Sequence, residues 1–236
     1  MITVPPHPLA SRTRRGSLAL RWGWQTFRSV PLTVGYLLAL TATTALVSSE
    51  SAEANDRLLF SFSTNLHQLV RVPARVLVGS AFWTSGWGDL ALWLVLLVAV
   101  LAPVERRLGR RRTLLAFAAG HVGATLIVAA GLWIGLRVGA VAPSVVFAQD
   151  VGVSYGFLAV AALAGYVLAP RTRPCYLAPL IAYVAVEAAF SRTFTDFGHV
   201  AAVAIGLACY PLARASSQSR VPPTTAIAQP SSAGDP

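Results

Sequence analysis

Six long apolar runs constrain this chain more than any other feature of its sequence. A run of about 20 apolar residues crosses the ~30 Å hydrocarbon core of a bilayer as a helix, because a helix rises about 1.5 Å per residue. Every backbone polar group in such a segment must be satisfied internally, which favours helices. The sequence therefore predicts an all-α polytopic membrane protein. Its six predicted transmembrane helices lie at about 30–47, 89–104, 114–136, 151–169, 176–190 and 197–213.

One long connection, residues 48–88, interrupts this pattern of runs and short turns. It begins with acidic residues and continues as an apolar segment broken by Arg71, Pro73 and Arg75. These interruptions exclude a further span, whereas mixed aliphatic and aromatic side chains are typical of a membrane interface. We expect the connection to lie half-sunk in the outer interface. The predicted division is a basic tail at 1–28, a membrane domain at 29–213 and a disordered tail at 214–236 that is rich in Ser, Pro, Ala and Thr.

The placement of arginine predicts the orientation of the chain. All 19 basic residues are arginine, which together with abundant alanine indicates a high-GC bacterium. With the N-terminus inside, 14 arginines lie on the cytoplasmic side and five outside, and the opposite orientation violates the positive-inside rule. We predict a multi-pass protein of the plasma membrane with both termini cytoplasmic. The net charge of +10 follows from this placement, so the predicted partner is the lipid bilayer and no nucleic acid is expected.

The cysteines, His121 and Glu187 are predicted to have structural roles. The two cysteines, Cys175 and Cys209, match neither a disulfide framework nor a metal-ligand spacing. His121 lies about 22 Å from the outer end of the third span at ~1.5 Å per residue, and it is predicted to serve helix packing. Glu187, near the outer end of the fifth span, is predicted to reach the hydrated rim. No cofactor and no metal is predicted.

Two polar residues on different spans are predicted to lie at one depth. Ser154 and His199 each stand a few residues inside the outer end of their helix. Each heads a helical stripe of small residues: Ala161 and Gly165 on the fourth span, and Ala202, Gly206 and Ala213 on the sixth. Membrane helices approach closely along such stripes, which allows a serine hydroxyl to meet an imidazole base. The alternative is simple packing, because Gly152 and Gly156 form a small-xxx-small pair around Ser154.

Three motifs, in this order, resemble the rhomboid intramembrane serine proteases. Val104-Glu105-Arg106-Arg107-Leu108-Gly109 resembles the glutamate, arginine and glycine turn after the family's second helix. Gly152-Val153-Ser154 resembles the start of its glycine-x-serine-glycine nucleophile motif. Gly198-His199-Val200-Ala201-Ala202 with Gly206 is similar to its sixth helix. The resemblance runs from about residue 73 to 213 and implies a six-helix rhomboid-like bundle.

The resemblance implies an intramembrane serine endopeptidase that cleaves transmembrane segments of membrane proteins near the outer face. His199 would take the proton of Ser154, whose alkoxide would attack a peptide carbonyl, and water would hydrolyse the acyl-enzyme. No acidic third residue takes part in this dyad. Asp89, Gly152 and Tyr155 would be the accessory residues around the oxyanion.

Departures from the family pattern keep a second function open. Tyr155 stands where the family has glycine after the serine, and Ala202 replaces a glycine of the sixth helix. Asp89 and Trp93 occupy the places of a histidine and an asparagine that help to hold the oxyanion, and the loss of one donor typically costs about 10² to 10³ in rate. Asp89 would alternatively orient His199. The second hypothesis is a catalytically inactive rhomboid-like protein that binds transmembrane segments of client proteins. A transporter lacks support, since no inverted repeat is evident.

Overall fold

The computed structural model describes residues 28–218 of the chain. These residues form helices and short 3₁₀ turns, and no strand occurs among them. The α-helices are α1 (Pro31–Ser49), α2 (Ala52–Phe62), α3 (Leu66–Arg71), α4 (Pro73–Gly79), α5 (Trp87–Leu108), α6 (Arg110–Arg137), α7 (Ser154–Ala164), α8 (Arg173–Phe190), α9 (Phe194–Ala208) and α10 (Tyr210–Gln218). The predicted all-α polytopic membrane bundle is confirmed.

Four helical stretches of the described chain are long and apolar enough to cross a membrane. They are α1, α5, α6 and Phe194–Arg214, which contains α9. A shorter apolar helix, Ser154–Val167, comprises α7 and a 3₁₀ turn. With α8, these elements occupy the positions of the six apolar runs. Large aliphatic side chains remain exposed along them, as a lipid-facing surface requires: Leu92, Val95, Val98, Ile127 and Ile134.

The predicted tails lie almost entirely outside the described residues. Residues 1–27 and 219–236 are not described. At the C-terminal end, α10 continues to Gln218, past residue 213 where the membrane domain was expected to end. The disorder predicted for the C-terminal tail thus stays a prediction for residues 219–236.

The central helix of the bundle is α7. All its residues from Tyr155 to Leu163 are buried, which agrees with a helix that is apolar on every side. Gly120 of α6 and Gly206 of α9 approach it so closely that a Cβ on either glycine would collide with Ala159. Small residues permit this contact, and close packing is a main source of helix association in lipid. The contacts of Ala159 therefore hold α7 between α6 and α9.

A buried carboxylate fastens α1 to the end of α5. Glu105 is only 3% exposed. Its Oε1 accepts a hydrogen bond from the Leu32 N–H at 2.8 Å, and its Oε2 accepts from the Thr33 N–H at 2.8 Å and the Thr33 hydroxyl at 2.7 Å. The first N–H groups of a helix have no partner within the helix, and the helix dipole favours a negative charge beside them. Glu105, which lies on α5, thus caps the N-terminus of α1 through its side chain.

The connection at 48–88 consists of three short helices, α2 to α4, and a 3₁₀ turn at Ser80–Phe82. Side-chain hydrogen bonds attach it to its neighbours. The Tyr36 hydroxyl of α1 donates to the Ala81 carbonyl at 2.6 Å, and Ser80 Oγ lies 2.9 Å from His121 Nε2 of α6. His121 is buried; its Nε2 forms this anchor, and its Nδ1 has no hydrogen-bond partner among the described residues. The place of the connection in the membrane interface stays a prediction.

Candidate functional site

A sharp turn positions the start of α7. Gly152 has a φ of +139°, a backbone conformation that residues other than glycine rarely adopt. Its N–H donates to the Ser80 carbonyl at 2.8 Å. Two residues earlier, the Asp150 carbonyl accepts a hydrogen bond from the Thr64 N–H at 2.9 Å. These bonds from the connection fix the direction in which α7 begins, and Gly152 acts through this backbone geometry.

Ser154, the first residue of α7, lines a cavity of about 150 Å³. Asp89 and Trp93 of α5 form part of the same wall, together with Trp83 and Thr84 of the connection. Ser154 is half-buried there. The structure therefore brings together Ser154 and the two α5 residues that depart from the family pattern.

Asp89 lies in the first turn of α5 and has a capping contact. Its Oδ2 accepts a hydrogen bond from the Ser85 N–H at 3.0 Å. A carboxylate in the first turn is also favoured by the helix dipole. This contact gives Asp89 a structural role while it faces the cavity of Ser154, and it brings a negative charge to the wall of that cavity.

His199 lies in the second turn of α9, and its side chain is 15% exposed. Its Nδ1 is 3.6 Å from Glu187 Oε2 of α8. Both ring nitrogens are buried and neither has a hydrogen-bond partner. Ser154 and His199 therefore share no hydrogen bond in this structure. The charged side chain nearest to the imidazole is that of Glu187.

Tyr155 is the α7 residue that meets His199. The two rings are 5.6 Å apart in an edge-to-face arrangement. The Tyr155 phenol packs on Gly198, where a Cβ would collide with it. Neighbouring residues on a helix point about 100° apart, since a turn holds 3.6 residues. With Tyr155 directed at α9, Ser154 is turned toward the cavity beside α5.

A half-buried carboxyl group supports the Tyr155 ring through its hydroxyl. The Tyr155 hydroxyl donates to Asp150 Oδ2 at 3.1 Å. Burial raises the pKa of Asp150, although hydrogen bonds from Tyr155 and Thr64 act in the opposite direction. Asp150, the residue just before the predicted fourth span, is thus a partner of the tyrosine.

The predicted stripe on α7 differs from the contacts that form. Gly198 and Gly206 of α9 pack against Tyr155 and Ala159, which are four residues apart on α7. Gly165, which was assigned to the same stripe as Ser154, packs against Leu177 of α8 instead. The face of α7 toward α9 thus begins at Tyr155, one residue after the serine.

Three potential ligand groups converge at the outer ends predicted for α8 and α9. One ligand atom from each of Glu187, Asp196 and His199 lies within 4.8 Å of the others. Asp196 already has a structural role, because its Oδ2 accepts from both the N–H and the hydroxyl of Thr193 in a capping box. The proximity of Glu187 to His199 was not predicted. The sequence did contain a signal for it, because Glu187 and His199 each lie near the outer end predicted for their span.

Comparison with known proteins identifies the scaffold. A family model described as "Rhomboid-like protein" matches residues 25–219, which include all ten helices. No curated protein and no solved structure matches the chain.

Proposed function

Because the chain belongs to the rhomboid-like protein family, we propose that it binds transmembrane segments of client membrane proteins without cleaving them. The observation that carries this proposal is the contact between Tyr155 and His199. In a serine hydrolase the general base must reach the nucleophile within hydrogen-bond distance. Here the phenol ring occupies the side of His199 that faces α7.

The surroundings of Ser154 also support a non-catalytic role. A tetrahedral intermediate needs hydrogen-bond donors around its developing negative charge. The cavity beside Ser154 carries the Asp89 carboxylate instead, and a like charge near the oxyanion opposes the reaction. Trp93, at the position of a family donor, packs its ring against Phe157 at 5.4 Å.

Client binding is supported by the character of the same cavity. It combines the indole rings of Trp83 and Trp93 with the polar groups of Thr84, Ser154 and Asp89. Aromatic walls with a few polar groups are typical of binding sites. Tyr155 would then serve the scaffold, since it joins α7 to Gly198 of α9 and to Asp150.

The second candidate is the rhomboid-type endopeptidase with Ser154 as nucleophile and His199 as base. One observation favours it: both nitrogens of His199 are buried without a hydrogen-bond partner, and buried polar groups normally have one. A movement of Tyr155 that let Ser154 reach the ring would supply that partner. Ser154 and His199 lie on helices that pack directly through Ala159 and Gly206.

Reconstitution in liposomes with a panel of reporter transmembrane substrates separates the two functions. We expect no cleavage by the parent protein, no labelling of it by a serine-directed phosphonate, and crosslinking to the reporter segments. The crosslinks should weaken in Trp93→Ala and persist in Ser154→Ala and in Leu92→Ala. Leu92 is a lipid-facing neighbour on α5, so Leu92→Ala is the matched control for truncation of Trp93.

Cleavage that is lost in both Ser154→Ala and His199→Ala would establish the protease instead. Tyr155→Gly restores the family residue and provides a further test. If the phenol alone blocks the dyad, this variant should gain phosphonate labelling of Ser154. The absence of both cleavage and crosslinking would refute both candidate functions.

A further inference from the structure

We infer that the groove between α1, α4 and α6 is a binding site for an anionic phospholipid, with the acyl chain in the groove and the phosphate at its arginine-rich mouth. The groove holds about 380 Å³, within the range of ligand sites. It lies apart from the cavity of Ser154, so the inference does not rest on the proposed function.

The walls of the groove suit a hydrocarbon chain. Apart from Tyr36 and His121, its lining side chains are aliphatic or phenylalanine, or belong to glycine and proline. The Tyr36 hydroxyl is engaged by the Ala81 carbonyl, and His121 Nε2 is paired with Ser80. The remaining nitrogen, His121 Nδ1, is itself buried. The groove thus offers apolar surface and no evident polar site for a client side chain.

The groove extends to the end of the bundle where α1 begins and α6 begins. Leu32, whose N–H binds Glu105, lines this end, and so does Leu114 in the second turn of α6. Along α6 the lining runs from Leu114 to Val122, about 12 Å at ~1.5 Å per residue. The far end is closed by the connection at Leu77 and Phe82. A chain that enters at the start of α6 would therefore end against the connection.

Positive charge surrounds the open end. Arg110 and Arg111 are exposed and precede Leu114 by four and three residues, which places them on the same face of α6. Arg28, also exposed, stands just before α1. None of these three arginines forms an ion pair with another described residue. Long arginine side chains at a helix end reach the headgroup region readily.

Within residues 28–218, no acidic side chain pairs with these three arginines. Glu105 is the one acidic residue of the described chain at this end of the bundle, and both its oxygens are bound to the start of α1. The other acidic residues of the described range lie in the connection or at the opposite ends of the helices, as Asp89 does in the first turn of α5. Basic pockets between membrane helices bind anionic lipid headgroups. Charge and shape therefore point to one occupant.

The test is a titration of the purified full-length protein with phosphatidylglycerol or phosphatidylcholine, with bound lipid counted by native mass spectrometry. We expect saturable binding of about one phosphatidylglycerol, at least tenfold tighter than phosphatidylcholine. Arg110→Gln/Arg111→Gln should weaken it about thirtyfold, which corresponds to roughly 1 kcal/mol for each arginine. The matched control Arg171→Gln/Arg214→Gln removes the same charge from other exposed positions and should bind like the parent.

A second pair of variants tests the groove itself. Gly35 lines the groove, and a Cβ there meets no atom within 4 Å, so the side chain of Gly35→Leu starts in open space and would occupy part of the groove. It should abolish the saturable phosphatidylglycerol, whereas Gly131→Leu, at a glycine with equally open surroundings outside the groove, should retain it. Equal binding of the two lipids, or equal binding by Gly35→Leu and Gly131→Leu, would overturn the inference. Equal loss in the two arginine pairs would also overturn it.

Discussion

Replacing Glu105 with alanine should release the start of α1 from the end of α5. The variant loses three hydrogen bonds of 2.7 to 2.8 Å to one carboxylate and leaves the Leu32 and Thr33 donors without it. Hydrogen bonds to a charged group contribute about 1.5 to 3 kcal/mol each. Three bonds at the lower end of that range give a loss of about 4.5 kcal/mol. For a chain of this size 1 kcal/mol corresponds to about 2 to 4 °C, so Tm should fall by about 9 to 18 °C.

Thermal unfolding in a mild detergent, followed by circular dichroism, measures this loss. Thr33→Val removes only the hydroxyl bond and should cost about one third as much. The control is Glu53→Ala, which removes a carboxylate that pairs with Arg57 where both side chains are more than two thirds exposed. Surface pairs of this kind contribute little. If Glu105→Ala melts within 2 °C, roughly 1 kcal/mol, of Glu53→Ala, the carboxylate is not a stabilising cap and the reasoning fails.

Two further predictions concern the packing and the protonation of the bundle. Gly206→Ala places a Cβ against the backbone of Ala159, so α7 and α9 must separate at a cost of about 1 to 3 kcal/mol. Gly131→Ala, whose Cβ meets no atom, should leave Tm unchanged or slightly higher, and equal melting of the two variants would contradict the packing argument. Burial raises the pKa of Asp150, so the folded state retains a proton that the unfolded chain releases, and stability should decline as pH rises from about 4 through the raised pKa. Asp150→Asn should remove this decline, and an identical pH dependence of Tm in the parent and Asp150→Asn would refute that assignment.

The local features of the candidate site could be read from the sequence to different extents. Ser154 and His199 stood out because a polar residue among apolar ones needs an explanation, and their depth followed from counting residues along each span. The sequence did not show which face of α7 turns toward α9. Two faces were possible, because small residues occur both in the stripe below Ser154 and on the face that begins at Tyr155. Gly198 and Gly206 select the second face through their contacts with Tyr155 and Ala159.

The motif around Glu105 was also visible in the sequence, although its contacts were not. The sequence marked it by resemblance, yet the role of the acid depends on α1, which precedes it by some 70 residues: the bond from Thr33 to Glu105 joins residues 72 apart. No local pattern contains such a pairing. The partly buried contact between Asp150 and Tyr155 is local in sequence, but its importance arises from the α9 glycine against which the phenol packs.

Long apolar runs establish the class of the protein, because such a run in a bilayer must satisfy its backbone hydrogen bonds within its own helix. Which side chain of α7 faces His199 depends on tertiary contacts that no local pattern contains. A rotation of about 100° separates Ser154 from Tyr155, and that rotation is set by the backbone of Gly152 and by packing against residues far away in the chain. A helix forms because of its own residues, whereas its rotation about its axis is set by the helices that pack against it.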